Sequence, residues 1–285
     1  MKKFLKYFAL LFFGMMFVVS CSGFSSCGSG STASGEKWTP DSGRAPKAGD
    51  WYENPTDGYV LVWIPGGDFV MGSDSDDQDS RPTAKLTVDG FWFGKYEVTN
   101  EQYGKFMETA DKWHTTPYMT DEGYNNPKQP VAGIRFYDAL AYCQWSGLRM
   151  PRESEWEYAA AGGKQLEFPT QNGNLNHDLA NYVGTGGRDI WMEYPAPVGS
   201  FPPNPFGLYD MAGNAWEWTS SLYQAYPYTP DDGREDLNAR DFRVLRGGSW
   251  EFGETYCKTT NRHYFDMHLR YDFAGMRLAK SFIMR

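Results

Sequence analysis

The sequence predicts an α+β domain of small mixed sheets and two to three helices, joined by extensive irregular loops. Three observations carry this prediction. A near-continuous apolar run from Tyr59 to Ile64 closes on Pro65-Gly66-Gly67, as a buried strand entering a tight turn does. Thr99-Asn100-Glu101-Gln102 supplies both halves of a capping box ahead of Tyr103, Phe106 and Met107 at helical spacing. Between 164 and 205 periodicity is lost in Gly- and Pro-rich runs such as Gly184-Thr185-Gly186-Gly187, and long loops in a compact domain are usually functional or ion-stabilised.

The elements follow in chain order. Phe69-Val70-Met71-Gly72 is expected to return antiparallel to the first apolar strand. A helix starts near Asn100. A second runs from about Tyr137 to Trp145, with Ala139, Leu140 and Cys143 inward and Gly147 as its stop. A third begins at Pro151 with an acidic first turn, favoured by the helix dipole, and ends at Gly162-Gly163. Trp216-Glu217-Trp218-Thr219, Arg243-Val244-Leu245-Arg246 and Gly275-Met276-Arg277-Leu278-Ala279 read as strands. Aromatic residues at 17 % of the chain are enough to pin many loops.

Ahead of this domain, Lys2, Lys3 and Lys6 flank an apolar run from Tyr7 to Val19, the charge order and length of an export signal rather than a membrane span. The run ends Val18-Val19-Ser20-Cys21, which resembles the lipobox of bacterial lipoproteins. That implies removal of 1–20 and lipidation of Cys21. Residues 21–50, rich in Ser and Gly, are expected to be a flexible tether from the lipid to a single domain spanning 51–285. The expected address is the cell envelope, at the surface of the outer membrane. A net charge of −9 argues against a nucleic-acid partner, which would require clustered Lys and Arg. Cys143 and Cys257 are the only domain thiols, expected to be reduced and buried.

Six spaced segments resemble, in order, the formylglycine-generating-enzyme-like family. They are Trp63 to Gly72, Tyr96 to Tyr103, Arg149 to Ala159, Asn204 to Trp218, Arg246-Gly247-Gly248-Ser249-Trp250 and Gly275 to Leu278. The resemblance implies a C-type lectin fold with its first and last strands paired. Family enzymes that make formylglycine hold copper between two cysteines. The later one matches Cys257, but the earlier falls on Phe252, which cannot coordinate a soft metal. An iron-dependent sulfoxide synthase would need a histidine cluster, whereas His114, His177, His263 and His268 are scattered. The resemblance therefore implies a chain with no catalytic residues, not an enzyme; the alternative is a formylglycine-generating-type oxidase or related enzyme acting in the envelope. No cofactor is required. Calcium is the one candidate ion, held by Glu217 with backbone oxygens of Ala212, Gly213 and Ala215, or by Asn181 and Tyr182 with Asp189 nearby.

Between the Gly-Gly-Ser-Trp motif and the last strand, 251–273 has neither helical nor strand period and sets large aromatics beside charges. Such side chains bring wide contact area at low entropic cost. With the lipobox, this arrangement resembles the spirochaetal type of variable protein made by diversity-generating retroelements, with 246–280 as the variable region. The resemblance assigns ligand contact to Phe252, Gly253, Thr255, Tyr256, His263, Tyr264, Phe265, His268, Leu269, Tyr271, Asp272 and Phe273. Glu251, Glu254, Lys258 and Met267 fall outside the substitutions that system makes. The implied partner is a protein or glycan ligand.

Overall fold

The computed structural model describes residues 35–282, so the expected signal peptide, Cys21 and Cys27 lie outside the described residues. Among the described residues, ten strands and three α-helices alternate with long loops. The strands are β1 (Trp51–Glu53), β2 (Val60–Ile64), β3 (Gly67–Met71), β4 (Ala84–Val88), β5 (Phe91–Gly94), β6 (Trp216–Leu222), β7 (Arg243–Arg246), β8 (His263–Phe265), β9 (Ala274–Gly275) and β10 (Ala279–Ser281). The helices α1 (Asn100–Met107), α2 (Phe136–Ser146) and α3 (Glu153–Ala160) all lie between β5 and β6.

The helices form where local chemistry places them. The Thr99 hydroxyl accepts from the Gln102 amide while the Gln102 side chain reaches back to Thr99, closing the capping box of α1. Gly147 ends α2 at φ +71°, the left-handed region glycine enters without penalty.

Strand pairing departs from expectation at three points. β3 does not return along β2; it pairs with β4, because both edges of β2 are taken by β1 and β5. The last strand joins β5 rather than the first strand, giving the antiparallel order β1-β2-β5-β10. The segment read as one final strand divides: β9 lies parallel to β6 in a sheet ordered β8-β7-β6-β9, and β10 belongs to the first sheet. Met276, Arg277 and Leu278 span the gap fully buried.

The tether boundary also moves. Trp38 inserts into the main core against Trp92 and Phe282, at ring separations of 5.3 and 5.8 Å. Residues 36–50 therefore fold onto the domain, since one buried indole outweighs the Ser- and Gly-rich composition around it. Cys143 and Cys257 are both free and buried, as expected. No helix among the described residues is long and apolar enough to cross a membrane.

Candidate functional site

The segment 251–273 contains one short strand, β8, which pairs antiparallel with β7 so that His263 faces Leu245 and Phe265 faces Arg243. Strand alternation puts His263 and Phe265 on one side and Tyr264 on the other. On the first side the buried Trp216 of β6 forms the floor of an aromatic bowl. Phe252, His263 and Tyr256 stand edge-on to its indole at 5.6, 5.5 and 6.2 Å. Phe265 stacks obliquely on Tyr271 and Phe273 at 4.5 and 5.3 Å and closes the ring. Phe252 and Phe273 meet at 5.0 Å.

Tyr264 leaves the bowl and packs on Tyr223 and Phe242, at 4.3 and 5.1 Å. Thr255, His268 and Leu269 are exposed, Gly253 is partly exposed, and Asp272 accepts from the Tyr124 hydroxyl at 3.2 Å. Residues the sequence did not single out widen the face. They are Trp216, Tyr223, Phe242 and, behind Asp272, Tyr124 with Trp250 and Tyr194. The Asn-Ala-Trp-Glu-Trp motif carried a signal for Trp216; the others lie on unpatterned loops.

Between the presented side chains, other residues of the segment anchor it. Arg262 is buried and grips Glu153 of α3 with Nε–Oε1 2.6 Å and Nη2–Oε2 3.1 Å, its guanidinium lying 4.1 Å over Tyr226. Lys258 and Thr260 both bind Asp76, at 2.9 and 2.7 Å, and Asn261 binds Asp77 at 2.9 Å. Arg270 pairs with the buried Asp138 at 2.8 Å, and Met267 fills the core. Charge-assisted bonds of this kind fix a segment that has almost no ladder of its own.

The bowl does not supply the two-thiolate copper site. Cys257 is enclosed beneath Gly248, where burial pushes its thiol up to about 12, and the Phe252 ring occupies the earlier position. Its histidine, His263, has an imidazole that makes no hydrogen bond to the described residues. Burial lowers its pKa, keeping the imidazole neutral at pH 7 and able to accept a proton.

The calcium candidates separate. Glu217 is fully buried, with Oε2 accepting from the Trp156 indole at 2.6 Å and Oε1 from Arg277 at 2.9 Å. Its charge is thus neutralised by Arg277 and is not free for the cation that the set with Ala212, Gly213 and Ala215 would require. Asn181 fits better. Its Nδ2 donates to the Tyr194 carbonyl at 3.0 Å, while its buried Oδ1 has no partner among the described residues. The neighbouring Asp189 is occupied by His177 at 3.0 Å and by the Trp191 amide. Gly213 crosses the Asn181 carbonyl so closely that a Cβ would lie 2.0 Å from it, at φ +71°. This crossing places Asn214 where its side chain joins Glu97 at 2.9 Å to the Ala196 amide at 2.7 Å.

Residues 47–282 match the model of the Sulfatase-modifying factor enzyme 1-like domain. The chain is 31 % identical over 77 % of its length to serine/threonine-protein kinase pkn1 of Chlamydia caviae, of which it spans 38 %. It is 29 % identical over 71 % of its length to the formylglycine-generating enzyme of Bos taurus, covering 69 % of that protein. Hercynine oxygenase of Mycolicibacterium smegmatis is 30 % identical over 76 % of the chain and 60 % of the relative. Among solved structures, PvdO from Pseudomonas aeruginosa superposes with TM-score 0.68 at 28 % identity, over 82 % of this chain and 99 % of PvdO. The Treponema denticola variable protein 1 superposes with TM-score 0.63 at 23 % identity, over 80 % and 97 %; at that identity it shows the shared fold alone. The expectation that the chain is not an enzyme is overturned by the pkn1, formylglycine-generating enzyme and hercynine oxygenase relatives, which carry the names of enzymes at 29–31 % identity.

Proposed function

The chain belongs to the sulfatase-modifying factor enzyme 1-like domain family, and on that premise we propose that it is a formylglycine-generating-type oxidase or a related enzyme of the cell envelope. The lipobox at Cys21 supports the envelope address, and its substrate is received on the aromatic bowl. The observation that carries this reading is the aromatic cluster itself, rings gathered over the buried Trp216 with His263 among them, its imidazole neutral and without a hydrogen-bond partner among the described residues. A protein or peptide substrate suits a broad face of Tyr, Phe and His better than a small molecule would. The two-thiolate pair is missing, so the residues present do not fit the family's copper ion; His263 is assigned the proton transfer.

Purified protein incubated with a Cys-containing peptide and oxygen, with and without added copper or iron, should consume both thiol and oxygen. His263→Phe preserves the packing and should lower turnover by roughly 10²–10⁴, the usual contribution of a positioned general base, with substrate affinity largely kept. No turnover under any of these metal conditions, with peptide still bound, would overturn the enzymatic reading.

One observation favours a second use of the same face. Of the positions assigned to ligand contact, Thr255, Tyr256, Tyr264, His268 and Leu269 are exposed, while Lys258, Asn261, Arg262, Met267 and Arg270 anchor the segment, so those five side chains can vary without loss of the core. A diversified substrate- or ligand-binding surface follows. A near-copy of the codons for 246–280, altered mainly at adenines and lying beside a reverse transcriptase gene, would support it; a locus without the repeat would sink it.

Calcium is proposed at Asn181, through its Oδ1 and the Tyr182 carbonyl. Protein dialysed without chelator should retain about one calcium per chain, and chelation should lower the thermal midpoint. Metal-free protein with an unchanged midpoint would refute the site.

A further inference from the structure

A second site lies apart from the aromatic bowl. Trp216 and Ser220 sit four residues apart on β6, about 13 Å at the usual strand rise. Ser220 opens not on the bowl but on a cavity of about 770 Å³ between β4, the end of α2 and the loop before β7. That volume is in the range of small-ligand sites. The cavity shares no lining residue with 252–273. Much of its wall is apolar, including Phe91, Leu140, Leu148 and Met150.

Five charges on the wall differ in how they are satisfied. Asp89, between β4 and β5, is exposed, and its carboxylate makes no hydrogen bond or ion pair among the described residues. Arg149 and Glu155 face each other through two bonds of 2.7 Å and neutralise one another. The guanidinium of Arg152 makes no hydrogen bond or ion pair among the described residues. Glu235 is held by three neutral hydroxyls, those of Ser220, Ser221 and Tyr228, and no described Lys or Arg lies within ion-pair distance of it. Three donors orient a carboxylate without using all its lone pairs or cancelling its charge.

The loop bearing Glu235 is fixed rather than adaptable. Arg234 lies 4.1 Å over Tyr228 and pairs with Asp232 at 2.6 Å, while Arg243 donates to the Asp236 and Ala239 carbonyls at 2.7 and 2.8 Å. A preformed cavity thus carries one free cation, Arg152, and two anions without an ion-pair partner among the described residues, Glu235 held in place and Asp89 exposed, over an apolar wall.

We propose that this cavity binds a short zwitterionic peptide. Its carboxylate engages Arg152, whose planar fork suits that group. An ammonium or guanidinium engages Glu235, and an apolar side chain lies between them on Leu140, Leu148 and Met150. A fatty acid would leave Glu235 facing hydrocarbon, and a phosphate ligand would meet Glu235 and Asp89 as like charges. The proposal stands independently of what the aromatic bowl does.

The test is calorimetric titration of the full chain with the free-ended tetrapeptide Lys-Leu-Leu-Ala. The comparison peptide is Gln-Leu-Leu-Ala, acetylated and amidated. The charged peptide should bind and the neutral one at least tenfold more weakly. Arg152→Gln and Glu235→Gln should each weaken the charged peptide tenfold or more, while Tyr256→Ala on the bowl leaves its affinity unchanged. Arg152 is exposed, so its replacement should not disturb folding, and an unchanged unfolding midpoint checks Glu235→Gln. Absence of binding at millimolar peptide, equal affinity for the neutral peptide, retention of affinity in both variants, or loss only with Tyr256→Ala would each overturn the assignment.

Discussion

Arg277→Met is expected to destabilise the domain by about 3–5 kcal/mol, the usual result of removing one partner of a buried ion pair. Arg277 is fully buried on the stretch between β9 and β10. Its guanidinium binds Glu217 of β6 at 2.7–2.9 Å, the Gly94 carbonyl at the end of β5 at 3.0 Å and the Tyr209 carbonyl at 2.8 Å. It therefore joins both four-stranded sheets to the loop ahead of β6. Burial alone would disfavour its charge, yet the Glu217 carboxylate holds its pKa above the ordinary value. Methionine matches the bulk but leaves Glu217 unneutralised beside two more buried acids, Glu97 and Asp210. Domains of this size are stable by only about 5–15 kcal/mol, so the variant should show a sharply lowered urea midpoint or fail to accumulate. Adding Glu217→Gln removes the stranded charge while retaining an acceptor for the Trp156 indole, and should restore a large part of the loss. An Arg277→Met midpoint within about 1 kcal/mol of the parent would show that the pair does not carry this role.

The same pair shows what could be read from sequence. Helix α1 was legible because its cap lies within four residues, and α2 because Gly147 stops it. The pairing of β3 with β4 was not, because occupancy of both β2 edges depends on Trp51 and Phe91, which are outside the local pattern. Likewise Glu217 read as a loop carboxylate suited to calcium, since Arg277, which neutralises it, lies 60 residues away. The aromatic segment was legible as something other than a core strand or helix, because its composition has neither period, but the packing of Phe252, Phe265, Tyr271 and Phe273 against the main core was not. Its anchors were not, since Asp76 meets Lys258 across 182 positions of sequence. The missing copper ligand at Phe252 was plain, but it led to the wrong conclusion about catalysis. One absent ligand pair excludes one metal site, and relatives named as enzymes share the rest of the domain.

Stability should also fall as pH rises from about 4 to above 6, in the part that comes from Glu97 and Asp210. Burial raises both carboxyls. For Asp210 the pKa reaches about 6 from 3.8; Glu97 is raised first by burial and then by Asp210, and stands well above its ordinary value. The charged groups around them are Glu217, which raises both further, and Arg277, which lowers both. Arg277 is already paired with Glu217, so one cation faces three acids. An acid whose folded pKa is raised binds more protons folded than unfolded, so its favourable contribution is complete below the unfolded pKa and lost as pH rises through the folded one. For Asp210 the span from 3.8 to about 6 is worth on the order of 3 kcal/mol at about 1.4 kcal/mol per pH unit. Asp50 and Asp138 are held below their ordinary values by Arg44 and Arg135 against the effect of burial, and contribute in the opposite sense, so the parent curve alone does not isolate the pair. The difference between parent and variant does. Asp210→Asn suits the backbone, because Asp210 sits at φ +56° where asparagine is tolerated, and its amide oxygen can still accept from Gly199 as Asp210 does at 2.6 Å. The variant should equal or fall slightly below the parent at pH 4 and exceed it at pH 8, by roughly 1–3 kcal/mol once the mutual repulsion with Glu97 is gone. Parallel stability curves for the two proteins across pH 4–8 would mean that Asp210 is ionised throughout, and that Arg277 neutralises more of the cluster than its pairing with Glu217 implies.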